Sequence, residues 1–481
     1  MNLLYLFLIL STTVLYCDTN DVISFVKTYI SNGDFTQAEK YIDLYISASS
    51  QTLSIEDKTK LLFEKERLQR IRLDYKKTKY DILKELHKKV LNFNEEEFYI
   101  WDQMNLLDKI NIDNKIYYFN SAVSNLFFRN REIYKRAINW KNLEDNIRKN
   151  LAYAKSVEQD FEKTRSSLLQ GTTFVITFTI IIPENIIEEN KIVRCWLPFP
   201  IEFDRQQNVE LLSSTPVPKY IIYKNTDIGY LYFEQPITKN SPTMFQAKFK
   251  FISFAYYNKI ELNKVLPYND NDSMYLKHII PHTHHEEPFP ELEKLTKQIV
   301  KNEQNPYIKS KLIYDWITDN FLYSYAPEYS TIENLTKYTF EHKYGDCGQQ
   351  GMLFITMCKI AGVPARWQSG WYINPEDYDM HDWAEIYIQP YGWIPVDVYW
   401  GSFVKHYSDL NEKDKDFLAN FYFGNIDKYR FVINNNHSLS LTPAKNSFRS
   451  EYIDFQRGEL ECETENLYFD KFKVNIKIEQ L

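Results

Sequence analysis

Three residues in the C-terminal half have the types and spacing for nucleophilic catalysis by a thiol: Cys347, His381 and Asp397. Cys347 follows Gly-Asp in YGDCGQQGMLFITMCKIAGVPARWQSGW, residues Tyr344 to Trp371. It opens an apolar run with helical spacing, which Gly362-Val-Pro364 stops. A thiol at a helix N-terminus feels the positive end of the helix dipole, which favours the thiolate. In such a constellation Cys347 attacks an amide carbonyl. His381 takes the thiol proton and returns it to the leaving amine, while Asp397 fixes the imidazole tautomer and stabilises its charged form. Taken singly, each residue has a blander reading. A lone cysteine is most often buried in a core, and a histidine beside a strand is usually a satisfied polar group. All three together on suitable elements shift the balance to chemistry.

The elements that must hold them can be read from period. From His381, Trp383, Glu385 and Tyr387 alternate with Ala384, Ile386 and Ile388, a strand pattern. Pro390-Tyr391-Gly392 turns the chain, and Trp393 to Tyr399 can return antiparallel. The count from the turn predicts that a looser turn or bulge is needed to set Asp397 directly opposite His381. Asp346 precedes the thiol, where a carboxylate opposes ionisation unless it caps the helix or points away. Helices are predicted at Phe289 to Asn302 and Ile308 to Phe321, the second leading into Leu322-Tyr323-Ser324-Tyr325.

GDCGQQGMLFITMCKIAGVPAR, HDWAEIYI and GWIPVDV resemble three signature blocks of the transglutaminase-like superfamily of papain-like cysteine enzymes. The family pattern is a Cys opening a helix that ends in Gly-x-Pro-Ala-Arg, then His-x-Trp-x-Glu, then Gly-Trp-x-x-x-Asp. Cys347, His381 and Asp397 match its triad position by position. The resemblance covers residues 270–435, and FYFGNIDKYR at 421–430 is similar to the segment that closes this core in bacterial members. It implies that Tyr323 stands near the oxyanion, beside the backbone N–H of Cys347; the competing reading is a packed strand aromatic. Arg366 and Glu385 match positions that read as structural supports. Asp382 departs from the family, which often has a small residue after the histidine, and bears on substrate access. The implied activity proceeds through a thioester acyl-enzyme on a protein or peptide substrate. Water as acceptor gives a peptidase or amidase, which the resemblance favours. An amine acceptor gives a protein-glutamine transglutaminase. A reading from another class is a non-catalytic adhesion or scaffolding protein that kept the fold; the intact triad counts against it. The mechanism requires no cofactor, and no acidic loop demands calcium.

The rest of the 481 residues supplies context. A chain this long calls for several cores. Its 44% apolar and 25% charged content describes folded protein, and its net charge of −8 disfavours nucleic acid. MNLLYLFLILSTTVLYC resembles a secretory leader, and Cys17 is a lipidation candidate that would anchor an exported protein to a membrane; Tyr16 fits the lipoprotein pattern poorly. The chain then reads as α+β and multidomain. A leader (1–17) precedes a helical N-terminal region (18–168), a β-sandwich (171–266), a transglutaminase-like catalytic domain (270–435) and a β tail (436–481). The helical region includes a hairpin around Asn32-Gly33-Asp34 and one long charged helix from Ser54 to Val90. In the sandwich, Phe174, Ile176, Phe178 and Ile180 alternate, as do Phe245, Ala247, Phe249 and Phe251. Cys195, Cys347, Cys358 and Cys462 are too widely spaced for a disulfide framework or a metal pair. Cys358 is expected on the buried face of the nucleophile helix. His282, His284 and His285 in PHTHHEEP read as a loop before they read as a metal site.

Overall fold

The computed structural model describes residues 18–138 and 140–481. The leader and Cys17 lie outside the described residues. Two compact units divide the chain, the first ending at Ile138 and the second beginning at position 139. Among the described residues no helix is long and apolar enough to cross a membrane.

The first unit is mainly helical. Its opening helices, Thr19–Asn32 and Phe35–Ala48, form the hairpin expected at Gly33, which takes φ +82° and ends the first of them. The long charged helix is two helices, Ile55–Asp74 and Lys79–Lys89. Thr78 breaks it by starting a new capping box with Asp81, and Lys77 bridges to Tyr118 instead of continuing the helix. β1 (Lys109–Ile112) and β2 (Lys115–Tyr118) pair through Asp113 and Asn114, both at positive φ, as a two-residue hairpin demands.

The helix Trp140–Thr164 belongs to the second unit and not to the unit of the other N-terminal helices. It packs on the helix Glu412–Phe421, with Lys155 paired to Asp414. Two sheets follow. One has the order β16-β15-β4-β7-β6, from Glu465–Leu467, Glu459–Cys462, Ile192–Pro198, Tyr230–Pro236 and Tyr220–Ile222. The other has the order β17-β3-β8-β5, from Lys473–Gln480, Leu168–Ile182, Thr243–Tyr256 and Gln206–Thr215. Phe174, Phe178, Phe245 and Phe249 from one sheet and Trp196, Leu231 and Phe233 from the other bury a common core, the arrangement of a sandwich. The tail supplies three of its strands. That core continues into Trp371, Ile373, Phe431 and Ile433.

Those last four residues belong to a second sheet system, β13-β12-β11-β14, formed by Gly392–Val396, Asp377–Ile388, Ala365–Asn374 and Arg430–Asn434. The helix Cys347–Ile360 lies on one face, packing Leu353 and Phe354 with Ala365, Trp367, Ala384 and Ile386. β14 can lie close to β11 because Gly370 has no side chain. A Cβ there would stand 1.8 Å from the carbonyl oxygen of Phe431.

The segment 278–287 packs at the C-terminal end of the helix Cys347–Ile360, where Lys359 donates to the Ile280 carbonyl and to Glu286. His285 is buried and its Nδ1 accepts the N–H of Leu335, while Glu286 pairs with Lys359 and His437. Among the described residues no group of three or more His, Cys, Asp or Glu could hold a metal ion. Burial, aided by Arg366 and His284 respectively, lowers His278 to about 4 and His285 to about 3. Burial opposes ionisation of Glu286, but His437 and Lys359 outweigh it and hold the carboxyl at about 2. For the histidines the unfolded chain takes up protons near pH 6.5 and the folded chain does not, so stability is lost as pH falls from there toward 3. Glu286 adds a loss from the ordinary carboxylate range down to about 2. Thermal melts are therefore expected to fall steadily between pH 7 and pH 4. A flat profile would show that these three groups do not titrate with unfolding.

Candidate active site

The helix Cys347–Ile360 begins at Cys347 because Asp346 caps it. Asp346 Oδ1 accepts the N–H of Gln349 at 3.0 Å, and Gln349 Oε1 accepts the N–H of Asp346 at 3.2 Å. The carboxylate next to the thiol is thus a cap, one of the two escapes open to it. Tyr329 also donates its hydroxyl to Asp346 at 2.7 Å. Gly348 allows this packing, since a Cβ would stand 2.2 Å from Tyr329 Oη and 2.7 Å from Trp367 Cη2.

His381 lies on β12 and Asp397 leaves the end of β13 as the N-cap of the helix Val398–Tyr407. The register pairs Ala384 with Val396, so His381 and Asp397 are diagonal neighbours on one face, and no bulge is needed. His381 Nε2 donates to Asp397 Oδ2 at 2.7 Å, and both residues are buried. Asp397 Oδ2 also receives Arg430 Nη1 at 2.8 Å, and Oδ1 accepts the N–H of Trp400 at 3.2 Å. Burial opposes ionisation of Asp397, but His381 and Arg430 hold its carboxyl below the usual range. With Nε2 engaged, Nδ1 is the nitrogen left to receive a proton.

The thiol itself faces another partner. Among the described residues, the hydrogen bond of the Cys347 side chain is to Asp382 Oδ2 at 3.9 Å, and none joins it to His381. Strand parity explains this. Asp382 shares its face with Ala384 and Ile386, which the nucleophile helix covers, while His381 lies on the face of Trp383 and Glu385. Burial, then Asp382 and Asp346, push the Cys347 thiol well up. These effects act against the helix dipole, which favours the thiolate. Burial, with Asp454 and Asp346, pushes Asp382 well above the ordinary carboxylate range, and burial raises Asp346 to about 6.

Cys347 is partly exposed and lines a cavity of about 190 Å³. Tyr323 lines it too, next to Gly345 in a parallel two-stranded ladder of β9 (Leu322–Tyr323) with β10 (Tyr344–Gly345). Its backbone N–H is taken by Tyr407 Oη at 3.0 Å, and its ring packs on Tyr325, Tyr399 and Phe403. The cavity wall is acidic, with Glu328, Asp346, Asp379, Asp382, Glu451 and Asp454 facing one arginine, Arg457. That arginine already holds Glu328 in a two-pronged pair at 2.9 and 2.5 Å. Glu451, Asp454, Gln456 and Arg457 come from the long connection between β14 and β15. No sequence signal points to them, since that connection has no periodicity and no motif.

Arg366 and Glu385 sit behind the site. Glu385 Oε2 accepts Arg366 Nε at 2.8 Å, and Oε1 accepts Arg205 from the loop before β5 at 2.5 Å. Cys358 is fully buried in the same helix as Cys347, and burial pushes its thiol up.

Residues 293–398 match the family model described as the transglutaminase-like superfamily. This segment is a transglutaminase-like core. It contains the cap, the nucleophile helix, the His381 strand and Asp397. The uncharacterized protein YebA of Bacillus subtilis (strain 168) is 25% identical over 119 residues, 21% of this chain and 16% of its own length. The matched part thus spans less than a fifth of that relative. A Cytophaga hutchinsonii chain, described only provisionally as a cysteine protease, superposes with a TM-score of 0.39 at 15% identity, covering 65% of this chain and 91% of that one. The periplasmic domain of TgpA from Pseudomonas aeruginosa gives 0.28 at 14% identity over 53% and 94%. Superpositions this loose bear on neither activity nor substrate. The transglutaminase-like core is defined by its sequence match and by its sheet and nucleophile helix.

Proposed function

We propose that this chain is a cysteine-dependent amide-bond enzyme, acting as a peptidase or amidase on protein or peptide substrates. The observation that carries this reading is the buried His381–Asp397 bond of 2.7 Å on a strand whose Met380 and Asp382, either side of His381, line one cavity with a thiol at a helix N-terminus. Turned toward His381, the S–H proton passes to Nδ1 as Sγ attacks the amide carbon. The imidazolium, steadied by Asp397 through Nε2, then gives that proton to the leaving amine and leaves a thioester. The backbone N–H of Cys347, with Tyr323, is the candidate donor set for the oxyanion. Water completes hydrolysis. An amine acceptor would make the same thioester the intermediate of a transglutaminase. The acidic wall of the cavity is suited to positively charged groups beside the reacting amide and repels anionic ones. Export, and lipidation at Cys17, belong to the same proposal and rest on the leader sequence.

Two measurements test it. A thiol-directed electrophile added to folded protein is expected to label Cys347 ahead of Cys195, Cys358 and Cys462, which are buried. No selective reaction at Cys347 would favour the adhesion or scaffolding reading. Peptide libraries incubated with and without a primary amine then separate the acceptors. Cleaved peptides as the main product support hydrolysis, and mass adducts of the amine support transfer.

A further inference from the structure

Asp382 occupies a place that the mechanism above does not use. It is 3% exposed and stands against the sulfur of Cys347, with Oδ2 accepting the S–H at 3.9 Å. Its other oxygen is fixed from a different part of the chain: Gln456 Nε2 donates to Asp382 Oδ1 at 2.8 Å and to the carbonyl of His381 at 3.1 Å. The carboxyl is therefore held in one orientation, with Oδ2 aimed at the thiol. We propose that Asp382 belongs to the reaction centre and holds the resting thiol protonated and turned away from His381. The inference rests on the proposed acyl-enzyme reading and adds a regulation of that same site.

The surroundings leave little to relieve the two acids. Asp346 approaches from the helix cap, and Asp454 and Glu451 from the tail wall. Tyr323, Tyr325 and Tyr329 face the sulfur from the segment after the helix Pro306–Asn320, and Tyr399 faces it from the helix after Asp397. Among the described residues Arg457 is the one cation lining the cavity, and Glu328 holds it. The backbone N–H of Asp382 donates toward the sulfur and offsets part of the effect. Losing the S–H proton where it stands would leave a thiolate against the oxygen that accepts from it and among the other acids of the wall, a contact that disfavours ionisation. Activation is then a rotation. The bond from Sγ–H to Asp382 breaks, the proton passes to His381 Nδ1, and Asp382 keeps the proton count it had.

Asparagine at this position makes a direct test, because the clamp orients it. With Gln456 still donating to Oδ1, the amide nitrogen faces the sulfur and offers a thiolate a fixed donor, where Oδ2 of Asp382 accepts from the thiol. The alkylation rate of Cys347 by iodoacetamide is to be followed by mass on the full chain from pH 5 to pH 10. For the wild type, the midpoint is expected above that of a free cysteine, about 8.5. Asp382→Asn is expected to lower the midpoint by about one unit or more and to speed alkylation at pH 7 at least about tenfold. Asp382→Ser, a shorter neutral side chain, is expected to shift it the same way, and serves if the asparagine variant does not fold. A wild-type midpoint below about 7 overturns the assignment without any variant. Superimposable profiles of a reactive thiol in wild type and both folded variants overturn the assignment of Asp382 alone. A Cys347 that reacts in none of the proteins at any pH overturns the acyl-enzyme reading, and this inference with it.

Discussion

Asp397→Asn is expected to lower kcat/KM on any amide substrate by about 10³ to 10⁴-fold while leaving the fold intact. The reason lies in donor and acceptor counting. Asp397 Oδ1 caps a helix through the N–H of Trp400, and Oδ2 accepts from both His381 Nε2 and Arg430 Nη1. Asparagine can keep the cap, but then its Nδ2 faces two donors. His381 must surrender its Nε2 proton and carry one on Nδ1, the nitrogen needed to receive the thiol proton. If the amide flips instead, the helix loses its cap and the amide nitrogen meets the N–H of Trp400. Catalysis suffers in both arrangements, whereas the packing around a side chain of equal shape does not. The controls are Cys347→Ala, which sets the floor of the assay, and a circular dichroism spectrum matching that of the wild type. Activity of the asparagine variant within about tenfold of wild type would remove Asp397 from the mechanism.

The parts of this site that could be read from the sequence are those fixed by local spacing. A cysteine after a capping residue, a strand of strict alternation and a turn of known length are all short-range features. They place Cys347 on a helix start and His381 on a strand, and they bring Asp397 to the end of the next strand; there the structure differs, because Asp397 caps a helix at Val398 and the strand stops at Val396. His381 and Asp397 meet as diagonal neighbours on one face, so the pair forms without the direct opposition for which a bulge would be needed. The thiolate preference rests on one local effect. Burial and two carboxylates, which depend on tertiary packing, oppose it. The break at Thr78 was hidden because the charged helical pattern continues through it, while the interaction that ends the helix comes from Tyr118.

What the sequence could not convey is the far wall of the cleft. Residues 451–457 lie more than fifty positions beyond Asp397 in a segment without period, and only the folded chain brings them across the thiol. The segment is anchored by buried charges. Glu459 accepts from Arg449 Nε at 3.2 Å and from Lys445 Nζ at 2.7 Å, so the wall is fixed at its sandwich end. At the core end, Gln456 reaches the strand that carries His381, and Trp371 Nε1 donates to the Gln456 carbonyl at 3.0 Å. The sandwich therefore does more than precede the core: through the tail strands it positions the residues that set the polarity of the cleft.

The second large effect concerns stability. Arg430→Met is expected to destabilise the second unit by about 3 to 5 kcal/mol, the range for breaking a buried ion pair by removing one partner. Arg430 is 2% exposed and joins Asp397 at 2.8 Å to Asp427 at 2.6 Å. Burial disfavours its charge, but Asp427 and Asp397 more than restore it. Methionine fills much of the volume and answers neither carboxylate. Asp397 keeps His381 as a partner, whereas Asp427 loses the guanidinium that lies along it and becomes the costlier orphan. The double variant Arg430→Met with Asp427→Asn should then be more stable than Arg430→Met alone, since it removes the stranded charge together with its partner. Urea unfolding of the wild type, both single variants and the double variant closes this cycle. A double variant no more stable than Arg430→Met would mean that the loss comes from packing around Arg430, whose guanidinium also lies over the rings of Trp383 and Tyr372, and not from the stranded carboxylate.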